Sequence, residues 1–343
     1  MPRMAKERSH ESSKSRVTMA AVGRMAGVSQ VTVSRALSHP GKVSPDTLRR
    51  IRDAIEATGF VPNALAGALA SKRSNLITAL IPSLTNIVYS SFVATFSEHM
   101  RSHGYQVLLS ETGFDAQAEE ALIATHLSRR PDAMLLTGIH HSAQARRLLL
   151  GADIPVVEVW DVTDSPIDMC VGFNHAEAGR AVAEYLHGLG HRCAGTITAS
   201  DARAVRRQVA FADRFFQLSG CRVEDSNTGG PASIGAGRKA LTDLIETRGF
   251  SSGAIFCSSD LLAHGVMIEA RARGLSVPGD VSVVGFGDQD FARDLDPPLS
   301  TVRIDRLRLG DVAADALLCR IAGGTPEKSV VDLGFEIIRR ATI

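Results

Sequence analysis

Between residues 76 and 287 the chain returns eight times to a short aliphatic run: LITALIP, YQVLLS, AMLLTG, PVVEVW, MCVGF, CAGTITA, AIFCSS and VSVVGFG. Longer stretches with helical spacing, such as 115–130 and 176–189, separate them. Strands that alternate with helices are joined by crossovers, so they read as parallel strands covered on both faces by those helices. The 343-residue chain leaves about 270 residues after Arg73, enough for two such sheets rather than one. Open α/β sheets bind ligands outside the carboxyl ends of their strands, and two lobes therefore leave a cleft between them. With 44% hydrophobic residues the chain has the material for a real core.

Several function classes lose ground at once. No stretch approaches the roughly 20 apolar residues of a membrane span, and MPRMAKERSHESSKSR lacks the apolar centre of an export signal. The expectation is a cytoplasmic protein with no membrane partner. Five cysteines, Cys170, Cys193, Cys221, Cys257 and Cys319, are odd in number and lack Cys-x-x-Cys spacing, which argues against zinc or a disulfide framework. GAGR at 235–238 is an incomplete dinucleotide fingerprint, and His140-His141 lacks a further metal-ligating group. No G-x-S-x-G or phosphate loop occurs. No catalytic residue, cofactor or metal is expected, and the chain does not read as an enzyme.

Charge divides the chain differently from hydrophobicity. Residues 1–73 carry thirteen Lys and Arg against five Asp and Glu, a net +8, which leaves −7 on the remainder. A basic head on an acidic body makes a polyanion, nucleic acid first, the expected partner. Residues 1–16 read as a disordered basic segment. From Val17 to Pro62 three short helical patterns follow, with Thr18 and Ser29 as caps and Ser44-Pro45 as a cap with Pro at the first helical position. Gly27 sits at the turn between the first two, and Val22, Ala26, Val28 and Val33 give them small apolar faces. Leu48, Ile51 and Ile55 supply the face of the third. This is a helix-turn-helix with a supporting helix.

The order Thr18 to Arg35, then VSPDTLRRI, then GFVPNALAGALA resembles the head of the lactose/galactose repressor family of bacterial transcription regulators. The resemblance continues through Val281–Gly285 and PPLST at 297–301. It implies an all-α helix-turn-helix head at 17–62, a hinge helix or linker at 63–74, and a two-lobed, periplasmic-binding-protein-like α/β body at 75–343. The lobes would be crossed near 173, 302 and 332. Ala21 and Gly23 depart from the usual Asp and Ala of the first helix, and a helical Gly costs up to ~1 kcal/mol. Within the family, IPSLTN and the ending VVDLGFEIIRRATI are similar to the gluconate branch.

On the second helix, Ser29, Gln30, Val31, Ser34 and Arg35 share one face at a spacing that reaches a major groove together. Arg can hold guanine in a fork, Gln can pair with adenine, and Val can touch a thymine methyl. Thr18, Ser29 and Thr32 suit caps and phosphate oxygens. The resemblance adds Asn63, Ala66 and Leu69, with the hinge helix forming on operator DNA and Leu69 wedged into the minor groove. Gly67 also suits a plain flexible linker.

In the body, Ser83, Asn86, Asp161, Arg207, Asp260, Asp288 and Arg306 stand at expected strand ends and are candidates for effector contact. Tyr89, Phe92 and Trp160 could stack on a sugar face or simply fill the core. Carboxylates and guanidinium groups suit a polyol, and Arg306 would pair with the carboxylate of a sugar acid such as gluconate, unless it makes a structural ion pair instead. The expected protein is a homodimeric repressor of a carbohydrate catabolic operon that binds double-stranded operator DNA under effector control. The same fold would also serve a regulator of neutral-sugar or purine metabolism. A solute-binding protein without DNA function would need an export signal and no basic head.

Overall fold

The computed structural model describes residues 17–62 and 73–343. It divides into two compact units between Ser74 and Asn75.

The first unit holds three helices, α1 (Met19–Ala26), α2 (Gln30–Ser38) and α3 (Pro45–Thr58). Each starts on a hydroxyl that accepts a backbone N–H two or three residues into the helix: Thr18 from Ala21, Ser29 from Thr32, and Ser44 from Thr47. Val22, Ala26, Val33, Ala36, Ile51, Ala54 and Phe60 close a small core. Gly23 is more than a weak helix residue. A Cβ there would stand 2.8 Å from the Val28 carbonyl oxygen, and Val28 N–H donates to the Gly23 carbonyl at 2.9 Å. The glycine therefore lets the turn fold tightly onto α1, which offsets its lower helix propensity.

The second unit carries two six-stranded sheets. Strands β1 (Leu76–Ile81), β2 (Gln106–Glu111), β3 (Ala133–Thr137), β4 (Val156–Val159), β5 (Met169–Gly172) and β11 (Val330–Asp332) form the first, in the order β11-β5-β4-β3-β1-β2. The second is β12-β10-β9-β8-β6-β7, from β6 (Ala194–Thr198), β7 (Glu224–Asn227), β8 (Gly253–Cys257), β9 (Val281–Phe286), β10 (Ser300–Arg303) and β12 (Glu336–Ile338). All pairings are parallel except β10 with β12. Between them run α4 (Ile87–Ser102), α5 (Ala116–Leu127), α6 (Ala143–Gly151), α7 (His175–Gly188), α8 (Ala202–Ser219), α9 (Ile234–Glu246), α10 (Asp260–Ala272) and α11 (Arg306–Ile321). The chain passes between sheets after β5, after β10 and again from β11 to β12.

The eight aliphatic runs all become strands, and the central ones are buried along all or nearly all of their length, as a sheet covered on both faces requires. GAGR lies within the first turns of α9 rather than in a phosphate-binding loop. A core containing Phe92, Phe96, Phe173, Phe211, Phe215, Phe256 and Phe286 runs through both lobes. Among the described residues, no helix is long and apolar enough to cross a membrane.

Candidate functional site

In the first unit, Val33 and Ala36 turn α2 inward and leave Ser29, Gln30, Val31, Ser34 and Arg35 exposed along the opposite side. Val31 is 65% exposed, so an apolar methyl face stands in solvent between two hydrogen-bonding side chains. Thr32 is half-buried, with its hydroxyl 2.9 Å from that of Ser29. Thr18 and Ser29 spend their side chains as caps, which leaves Gln30, Val31, Ser34 and Arg35 free to meet base edges.

In the second unit, a cavity of about 450 Å³ opens between the carboxyl ends of the two sheets. Ser83 and Asn86 follow β1, Trp160 follows β4, and Phe173 and His175 follow β5. From the second lobe come Ser200 and Asp201 after β6, Ser258 and Ser259 after β8, and Phe286 and Gln289 at the end of β9. Arg203 and Arg207 reach the wall from α8. Four helices begin at this wall. Asn86 caps α4, Asp201 caps α8, Ser259 caps α10, and His175 opens α7. Their N-terminal dipoles add positive potential to the cavity.

Trp160 is the hub of the aromatic side. It packs edge-on against Tyr89, Phe92 and Phe173, with ring centroids 5.4, 5.8 and 6.5 Å away. Its φ of 71° is an unusual conformation for a bulky residue, held at the strand end beside the cavity.

The polar side is cationic. Arg207 is buried, donates from Nη1 to His175 Nδ1 (2.7 Å) and from Nη2 to the Ser258 carbonyl (3.0 Å), and stacks 3.8 Å from the Phe286 ring centre. Because arginine only donates, His175 accepts at Nδ1 and carries its proton on Nε2, which faces the Trp160 carbonyl at 2.8 Å. Burial and the neighbouring arginines hold this imidazole neutral, well below the usual histidine range. Burial also pulls Arg207 down to about 10. Arg203 donates from Nη2 to the Tyr89 hydroxyl at 2.7 Å, while its buried Nη1 has no hydrogen-bond partner among the described residues. Among the described residues neither arginine forms an ion pair with a carboxylate.

Two family descriptions match the chain, "Bacterial regulatory proteins, lacI family" over residues 18–63 and "Periplasmic binding protein-like domain" over 183–343. The HTH-type transcriptional regulator GntR of Pseudomonas aeruginosa is 35% identical over 328 residues, 95% of each chain. The chain belongs to the LacI family of bacterial regulatory proteins. It is a DNA-binding transcriptional repressor and not an enzyme. A LacI-family regulator from Silicibacter pomeroyi has a similar structure, with a TM-score of 0.89 at 31% identity, covering 95% of this chain and 99% of that one. The Lac repressor dimer, solved bound to operator and the anti-inducer ONPF, gives a TM-score of 0.83 at 26% identity over 95% of this chain and 99% of that one.

In this LacI-family repressor the residues expected to meet an effector fall into two groups. Ser83, Asn86, Tyr89, Trp160 and Arg207 line the cavity. Asp161, Asp260, Asp288, Arg306 and Phe92 do not. Phe92 is fully buried beneath Trp160 as core. Asp161 lines an adjoining recess of about 250 Å³, where Arg206 Nη1 holds both its oxygens at 2.9 Å. Asp260 is fully buried and accepts from the Thr301 hydroxyl (2.6 Å) and the Gln289 N–H (2.7 Å), so it fixes a wall residue from behind. Asp288 is clamped by Arg303 and Arg340, each at 2.7 Å.

Arg306 opens α11 and donates to the Asp288 carbonyl, with Asp290 at 3.6 Å. It is therefore tied to the loop that follows β9, and its ion-pair partner is Asp290. Sequence reading missed Arg203, His175, Asp201 and Gln289. The capping pattern of Asp201 ahead of a helix, directly after a strand, was the available signal for the first turn of α8. Asn63, Ala66 and Leu69, together with the hinge and the basic N-terminal segment, lie outside the described residues.

Proposed function

We propose that this repressor acts as a homodimer, reads operator half-sites through Gln30, Val31, Ser34 and Arg35 of α2, and takes a sugar acid of the gluconate type into the interlobe cavity. Asn63, Ala66 and Leu69 complete the DNA contact in this reading, and the caps Thr18 and Ser29, with Thr32 in the first turn of α2, serve the phosphate backbone. The carboxylate of the effector meets Arg203 and Arg207. Its hydroxyls meet Ser83, Asn86, Asp201 and Gln289, and its carbon chain lies against Trp160 and Tyr89. Asp161, Asp260, Asp288 and Arg306 act at one remove by holding that wall in place.

The observation that carries the effector class is the pair of guanidinium groups in the cavity wall that form no ion pair with a carboxylate among the described residues. A buried cation that lacks a counter-ion is costly, and an anionic ligand in a closed cleft supplies one. The IPSLTN and VVDLGFEIIRRATI resemblance to the gluconate branch supports the same class, and the operator-bound Lac repressor dimer supports the assembly.

Isothermal calorimetry with gluconate and with neutral glucose tests the reading. The acid should bind and the neutral sugar should not. Arg203→Met should weaken the acid by roughly tenfold or more, the value of one charge-assisted hydrogen bond. Equal binding of glucose, or full acid affinity in the variant, overturns it.

A further inference from the structure

The geometry points to Cys193 and Cys221 as a peroxide-responsive dithiol that closes to a disulfide and staples α8 to the sheet. Cys193 immediately precedes β6, and Cys221 follows the left-handed Gly220 that ends α8. Their sulfurs are 3.6 Å apart, with Cys193 exposed and Cys221 half-exposed. A closure of about 1.5 Å brings two such sulfurs to bonding distance. The Cys193 carbonyl is tied to the Ala254 N–H at 3.2 Å, so the closure comes from rotation of the two side chains and from the loop at Cys221, which lies outside both α8 and β7.

Two of the other three thiols are poor competitors. Cys170 and Cys257 are buried, and burial raises the first to about 12 and the second further still. Peroxide reacts with thiolates that solvent can reach, so it finds the exposed Cys193 first. That sulfur displaces one peroxide oxygen as water and becomes a sulfenic acid. Cys221 then attacks it, the S–S bond forms, and a second water leaves. In total two thiols and one hydrogen peroxide give one disulfide and two waters.

The ring so closed runs from residue 193 to residue 221. It contains β6 and all of α8, and so encloses Ser200, Asp201, Arg203 and Arg207. A link across a ring of this length restricts the unfolded chain and resists separation of α8 from its sheet.

The full chain is treated with hydrogen peroxide, unfolded, and its thiols counted and peptides mapped by mass spectrometry. The five thiols should fall to three, with a Cys193–Cys221 linked peptide. Dithiothreitol should restore all five. The oxidised chain should melt a few degrees higher than the reduced one, and Cys193→Ser and Cys221→Ser should each abolish both the peptide and the shift. Five surviving thiols, oxidation that stops at sulfinic acid, or links only between chains would overturn the proposal.

Discussion

Asp260 is a carboxyl group inside the protein that forms no ion pair among the described residues, with Arg340 acting on it only from a distance. Burial is the largest influence on it and lifts its pKa to about 6, against the pull of the Thr301 hydroxyl and the Gln289 N–H. Because the folded value lies above the unfolded one of about 3.9, the folded chain holds this proton more tightly. Its contribution to stability is present at low pH and is lost as pH rises through about 6. The loss should approach roughly 3 kcal/mol in full. Asp260→Asn keeps an acceptor for Gln289 and can donate to Thr301, but it cannot ionise. Urea unfolding at pH 5 and pH 7.5 should therefore show a decline in the wild type that the variant lacks. Parallel behaviour of the two would place the titration elsewhere.

At the scale of elements, the cavity depends on how closely α7 and α8 approach. A Cβ on Gly179 of α7 would collide with the Arg207 carbonyl of α8. Gly179→Ala should push α8 away, destabilise the body by roughly 1–3 kcal/mol, and weaken effector binding because Arg207 moves with its helix. Urea unfolding and calorimetry on the same variant check both effects, and an unchanged midpoint would mean the helices have room to spare.

The alternation of apolar runs made most of these elements legible, because parallel strands covered on both faces must be aliphatic along their length. Strand β7 was not legible. Glu224-Asp225-Ser226-Asn227 is polar because it is an edge strand paired only with β6, and its side chains mostly face solvent. The cavity was legible in part for a related reason. Strand ends locate the wall, but they do not say which way a side chain turns, so the strand-end reading reaches Arg306, which Asp290 and the Asp288 carbonyl hold, and passes over Arg203 on α8. The helix-turn-helix was the easiest to read, since caps, turn glycine and apolar spacing are all local.

At the scale of the whole molecule, the +8 of residues 1–73 against the −7 of the rest concentrates attraction for DNA in the N-terminal part of the sequence. Operator affinity should fall by about a thousandfold or more between 50 and 200 mM salt if six or more phosphates are contacted. Arg35→Ala should relax preference at one base pair of each half-site, at a cost of roughly 1–3 kcal/mol, and leave the salt slope nearly unchanged. Fluorescence anisotropy with a panel of substituted operators separates the two effects. A variant that keeps the base preference but loses slope would make Arg35 a phosphate contact.

The route of the chain between the sheets also governs how the protein emerges from the ribosome. β5 finds its outer neighbour β11 only when residues 330–332 have been made, after every strand of the second lobe but β12. Until then Met169–Gly172, buried along its whole length in the finished fold, has one open edge. Neither lobe can finish alone during synthesis. A nascent chain stalled before residue 330 would present an apolar strand edge of the kind that chaperones shield and that pairs with other unfinished chains.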